Sequence, residues 1–190
     1  MTRFLPGRGA SATPPTRWFT PARFAPLART ILLAMAFSAP VRAHDPFETF
    51  TAVVLHPDRM ALSIGMAQST ALRLIDPAVR ITALTPENMA EHRPRLVREG
   101  ALLFVFTSLR TQLAARTVEV ELTDENDIFF KVTYPRPAPG RLLIHAAYLR
   151  RLGDGFGGLL EVNDPVGKNL GWEQLLWSRP NFEITVPPPP

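Results

Sequence analysis

Residues 116–134 read Arg-Thr-Val-Glu-Val-Glu-Leu-Thr-Asp-Glu-Asn-Asp-Ile-Phe-Phe-Lys-Val-Thr-Tyr, two alternating runs about a polar middle. Mirror pairing of Arg116–Thr123 with Asp127–Tyr134 across Asp124-Glu125-Asn126 sets Val118 opposite Val132, Val120 opposite Phe130 and Leu122 opposite Ile128. All three are apolar pairs on one face. The same register puts Glu119 opposite Lys131 and Thr117 opposite Thr133 on the other face, as an antiparallel hairpin with one wet side requires. A slip of one residue sets Glu119 against Phe130 and spoils both faces, so the side chains themselves specify the pairing.

Working outward, Ala52–Leu55 and Met60–Met66 are apolar segments separated by the turn-like His56-Pro57-Asp58-Arg59 and predict a first hairpin. Thr85-Pro86-Glu87-Asn88 has the form of a helix start, with a capping Thr, Pro at the first helical position and an acid in the first turn. A short helix is expected from about Pro86 towards Arg98, bent near Pro94 and stopping at Gly100. Leu102–Phe106 reads as a strand buried on both faces. Pro135, Pro137 and Pro139 forbid regular pairing until Gly140, after which Arg141–Leu149 predicts another strand. Gly153–Gly158 is a flexible turn before a strand at Leu159–Val162, Asn163–Gly167 turns again, and Phe182–Val186 is the last strand. Many short strands and one helix predict a mainly β chain, an antiparallel, immunoglobulin (Ig)-like β-sandwich over residues 44–186 with one short helix near residues 86–98. Pro187–Pro190 reads as a frayed polyproline tail, as an edge of the domain or as the stub of a linker.

Residues 1–43 carry six arginines and no acid, and Thr30–Val41 is almost entirely apolar. With Val41-Arg42-Ala43 offering small residues at a cleavage site, this predicts a secretory signal cut after Ala43 and a periplasmic or extracellular product. An uncleaved anchor is the competing reading, but the run falls short of the ~20 residues a membrane span needs. Cleavage changes the electrostatics. The whole chain has net charge +4, but all 17 acidic residues follow the leader, leaving 15 basic against 17 acidic and a net charge of −2. A mildly acidic remainder without a basic patch speaks against nucleic acid as a partner. Arg93–Arg98 is more simply a solvated helix face. The absence of cysteine excludes disulfides, thiolate metal sites and Cys nucleophiles.

The histidines are His44, His56, His92 and His145. Cleavage after Ala43 makes His44 the N-terminus, where an α-amine and an imidazole on one residue can chelate Cu(II). Pro46 has no amide proton, which excludes a backbone chelate through the third residue, so a further histidine must complete the site. His145 is the candidate second ligand, with copper or nickel as the metal; its alternation with Leu143, Ala147 and Leu149 also suits a hydrogen-bonded, half-buried strand histidine. Met60 and Met66 fit core packing better than soft-metal ligation. Asp124, Glu125 and Asp127 lack the alternating oxygens of a calcium loop, and Gly153–Gly158 lacks the helix and Lys-Ser/Thr of a phosphate loop. Ser63, Ser69, Ser108 and Ser178 stand in no hydrolase motif. Trp172 and Trp177, with Leu175 and Leu176 between them, form an amphipathic patch able to touch a partner or membrane, or to pack a loop on the sandwich.

Ala43-His44-Asp45-Pro46, together with Asp127-Ile128-Phe129-Phe130, Tyr134-Pro135, Gly140-Arg141-Leu142 and Tyr148-Leu149, resembles the extracytoplasmic domain of the hydrogenase/urease accessory (HupE/UreJ-like) family. That resemblance implies a periplasmic β-sandwich beside a transmembrane part thought to handle nickel or cobalt. Here four prolines follow Val186 in place of membrane helices, so no transporter function carries over and no transmembrane segment is expected in the mature chain. The expected role is a non-enzymatic binding or accessory module with a protein partner in the cell envelope. The alternative is a copper- or nickel-binding protein built on His44.

Overall fold

The central hairpin forms in the expected register: β5 (Thr117–Leu122) and β6 (Asp127–Pro135) pair Val118 with Val132, Val120 with Phe130, Leu122 with Ile128 and Glu119 with Lys131. Asn126 closes the turn at φ 63°, a left-handed conformation that Asn tolerates better than most side chains. On the wet face the Lys131 ammonium passes its direct neighbour Glu119 and bonds the diagonal Glu121 at 2.7 Å, a reach open to a long side chain.

This is a computed structural model, and it describes residues 48–78 and 80–189. The expected signal peptide and His44 lie outside those residues. Two sheets make up the domain. Strands β1 (Glu48–Leu55), β2 (Arg59–Ala67), β5, β6, β8 (Gly157–Asn163) and β9 (Asn169–Leu176) form a six-stranded sheet in the order β5-β6-β2-β1-β8-β9. Strands β3 (Phe104–Ser108), β4 (Thr111–Gln112), β7 (Gly140–Ala146) and β10 (Asn181–Val186) form a four-stranded sheet ordered β10-β7-β3-β4. The chain is therefore the mainly β two-sheet sandwich that its pattern predicts. One core joins the sheets, with Val53, Met60, Ile64, Phe130 and Leu160 from the larger and Phe106, Leu142, Ile144 and Ile184 from the smaller. Across the gap the Phe106 and Tyr134 rings meet edge to face, 4.8 Å between centroids. Met60 and Met66 are both buried core residues.

Several expectations need correction. The sheet is not wholly antiparallel, because β1 runs parallel to β8. The described residues hold three helices rather than one: α1 (Gln68–Ile75), α2 (Pro86–Gly100) and α3 (Ala147–Leu152). The α2 start is as expected, with a reciprocal capping box between Thr85 and Asn88, and the helix continues through Pro94 to end at Gly100. Helix α3 cuts short the strand expected at Arg141–Leu149, because Tyr148 and Leu149 reach the core only once the chain turns helical after Ala146. The inward set of β7 is Leu142, Ile144 and Ala146, so Leu143 and His145 face outward. In the Leu102–Phe106 run, Leu103, Phe104 and Phe106 are buried while Leu102 is exposed. The proline tail is held at its start, where the Arg136 guanidinium donates to the Pro187 carbonyl at 3.1 Å as well as to the carbonyls of Leu55 and His56.

Candidate binding face

The outer face of the six-stranded sheet follows from strand parity. In β1 the buried residues are Thr49, Thr51, Val53 and Leu55, which sends Glu48, Phe50, Ala52 and Val54 outward. In β2 the outward positions are Arg59 at the start and then Ala61, Ser63, Gly65 and Ala67, all small. In β8 they are Gly157, Leu159, Glu161 and Asn163. Register then lays Phe129, Gly65, Phe50, Leu159 and Gln174 side by side across five strands. Gly65 lets the Phe129 ring lie close over it, since a Cβ there would sit 2.9 Å from Phe129 Cζ and the ring would have to shift. The neighbouring row brings Trp172 of β9 opposite Glu161.

The result is an apolar strip that faces solvent. Trp172 is 64% exposed, Trp177 45%, Phe50 43% and Leu159 39%. These side chains border a cleft of about 520 Å³ at the end of the sheet where β1 and β8 begin and β9 ends. The turn at residues 153–156 and the first residues of β8 form one wall. Gly153 and Gly155 take φ of 95° and 90°, conformations that carry Asp154 to the cleft and favour glycine. Phe156 is buried under the Arg73 guanidinium of α1, 5.4 Å above its ring, and anchors that wall.

Below the strip, Thr49 Oγ1 and the Tyr148 hydroxyl share a buried 2.5 Å hydrogen bond that ties β1 to α3. Gly158 packs against this pair so closely that a Cβ would fall 2.0 Å from Thr49 Oγ1. Burial pushes the Tyr148 phenol up to about 12, with the Thr49 bond opposing the shift, so the hydroxyl is neutral. The charged residues lining the cleft are Glu48 and Asp154, both acids, and no Lys, Arg or His lines it among the described residues.

The candidate histidines fall elsewhere. His56 lies in the β1–β2 turn, His92 on α2 and His145 on the outer face of β7. His145 Nδ1 lies 2.7 Å from Asn181 Oδ1 of β10, the hydrogen-bonded strand histidine that its pattern suggested. A second cleft of about 410 Å³ opens beside it between Val105, Leu143 and Phe182. Among the described residues, no group of three or more His, Asp or Glu is placed to hold a metal ion.

The tryptophans correct the reading of a loop packed on the sandwich. Residues 169–176 are strand β9, Leu175 is buried, and Trp172 and Trp177 face solvent. The sequence reading missed Phe50, Leu159 and Gln174. The signal was present in β1, where Val53 and Leu55 share parity with Thr49 and Thr51 and so turn Phe50 outward.

Fold and face together define a mainly β two-sheet sandwich with an open apolar, acid-rimmed cleft on its larger sheet. No family model and no curated protein matches the chain.

Proposed function

We propose that this chain is exported and works in the cell envelope as a non-catalytic binding module that holds a protein partner on the outer face of its six-stranded sheet. One observation carries the reading: Phe50, Leu159, Trp172 and Trp177 stand in solvent around a formed cleft. Contiguous exposed aromatic surface on a small domain marks an interaction site, and Trp is among the residues that dominate binding energy where they are found. Export rests on the arginine-rich, apolar leader that ends in Val41-Arg42-Ala43. The resemblance to the soluble domain of the HupE/UreJ-like family points to the same compartment. No helix among the described residues is long and apolar enough to cross a membrane.

The test is photo-crosslinking in cells, with the reactive residue at Gln174 on the proposed face and at Arg141 on the opposite one. An adduct with an envelope protein from Gln174 alone is expected. A protein that keeps residues 1–43 in the cytosol, or adducts independent of position, overturns the reading.

The second reading is a copper- or nickel-binding protein built on His44. His145 stands on the outer face of β7 as the candidate further ligand. An N-terminal amine and imidazole with His145 Nε2 would supply three nitrogen ligands for Cu(II) or Ni(II). Equal Cu(II) affinity in wild type, His44→Ala and His145→Ala, measured by titration, would remove it.

A further inference from the structure

We propose that Asp154 and Gly155 form a self-modifying site on the wall of the cleft: the Gly155 amide nitrogen closes on the Asp154 side chain to give a cyclic imide, which water reopens as an isoaspartyl linkage. The inference does not depend on what the cleft binds.

Ring closure needs a carboxyl within reach of the next amide nitrogen, no side chain crowding that nitrogen, and a backbone free to fold back on itself. The turn at residues 153–156 meets all three. Asp154 Oδ1 accepts the Gly155 N–H at 2.9 Å, which holds the carboxyl carbon next to the nitrogen that attacks it. That amide has no main-chain partner among the described residues, so no ladder bond opposes the closure. Gly155 takes φ 90°, and beyond its chain neighbours nothing lies within 4 Å of the place a Cβ would occupy. Both residues are exposed, so solvent reaches the ring.

The other aspartates lack this arrangement. Asp45, Asp76 and Asp164 precede proline, whose nitrogen carries no hydrogen to give up. Asp58, Asp124 and Asp127 precede Arg59, Glu125 and Ile128, each with a Cβ that crowds the closing ring. Asp154 is the one followed by glycine.

The atoms balance with water alone. The bond from Gly155 nitrogen to Asp154 Cγ forms, the Cγ–OH bond of the protonated carboxyl breaks, and that hydroxyl leaves with the amide hydrogen as water. Water then adds to the imide at one of two carbonyls. Addition at the former main-chain carbonyl breaks its bond to nitrogen and leaves the chain running through Cγ, with the carboxyl now on Cα; addition at Cγ restores aspartate. The isoaspartyl form has one more carbon in its main chain. Phe156, buried under the Arg73 guanidinium, fixes the far end of the turn, so the added length is taken up on the exposed side, where Asp154 lines the cleft.

The test incubates the purified protein in heavy-oxygen water at physiological temperature and locates isoaspartate by methyltransferase labelling and peptide mass spectrometry. Isoaspartate at position 154 carrying heavy oxygen is expected, at a rate within about tenfold of that in a peptide of residues 151–157. Asp154→Glu, an exposed change that keeps the charge but demands a larger imide ring, should remove the labelling while circular dichroism shows the fold intact. A native rate more than about tenfold below that of the peptide overturns the inference. So does labelling that persists in Asp154→Glu, or isoaspartate that carries no heavy oxygen.

Discussion

At Thr49 and Phe50 the polar residue goes inside and the aromatic one outside. Thr49 is tolerated in the interior because the Tyr148 hydroxyl meets its Oγ1, and a buried hydroxyl with a partner loses little on leaving water. Removing that partner is costly. Tyr148→Phe is expected to lower stability by about 1–2 kcal/mol in urea denaturation. Gly158→Ala, which drives a methyl into the same pair, should cost about 1–3 kcal/mol. Phe50 is the contrast: Phe50→Ser should move stability by no more than about 0.5 kcal/mol while weakening partner capture, because its ring packs no core. An equal loss of stability at Phe50 and at the buried Phe106 would show that the outer strip is structural.

Among the elements, the β5–β6 hairpin was legible because its information is local. Three apolar pairs on one face and a Glu–Lys pair on the other admit a single register, and the turn residue Asn126 accepts positive φ. Helix α2 was legible at its start for a similar reason, since Thr85 and Asn88 satisfy each other's backbone amides. Thr85→Ala is expected to cost about 1 kcal/mol. Pro94, exposed inside α2, removes a bond that Ala90 would otherwise accept. Pro94→Ala should raise the thermal midpoint, with a gain of about 1 kcal/mol or more, and a lowered midpoint would show that the helix is built around the proline. Helices α1 and α3 were not legible. Neither has a side-chain cap, both are short, and each is helical because that geometry delivers Leu72 and Leu74, or Tyr148 and Leu149, to the core.

For the whole molecule the shared core sets the pH limits. Burial pushes the phenols of Tyr134 and Tyr148 up to about 12, against about 10 in an unfolded chain. Their stabilisation is complete below pH ~10 and is lost as pH rises towards 12, because the unfolded chain releases protons that the folded one retains. The unfolding free energy from urea denaturation should fall between about pH 10 and 12, by roughly 1.4 kcal/mol per pH unit for each tyrosine, and Tyr134→Phe should flatten the slope. Asp76 acts at the acid end. Burial alone would raise its pKa, but the amides of Arg80 and Ile81, at 2.7 and 3.1 Å, and the Arg80 guanidinium hold it below the ordinary carboxylate value. Its contribution is present above the ordinary value and disappears as pH falls through the lowered one, so Asp76→Asn should lessen the acid sensitivity of unfolding.

What these residues determine alone is what neighbours in the chain can settle: the alternation that makes strands, the hairpin register, the capped start of α2 and the turns at Asp124–Asn126 and Gly153–Phe156, the strand after the latter starting two residues earlier than expected, at Gly157. Tertiary structure decided which way each strand faces and which strands lie side by side. His145 and Leu143 turn outward because Leu142, Ile144 and Ala146 fill the gap between the sheets. The parallel pairing of β1 with β8, more than a hundred residues away in the chain, brings Phe50 beside Leu159 and, through β9, Trp172. No local pattern encodes that neighbourhood, because it depends on how two sheets share one limited interior, and the face it leaves in solvent is where the function is proposed to lie.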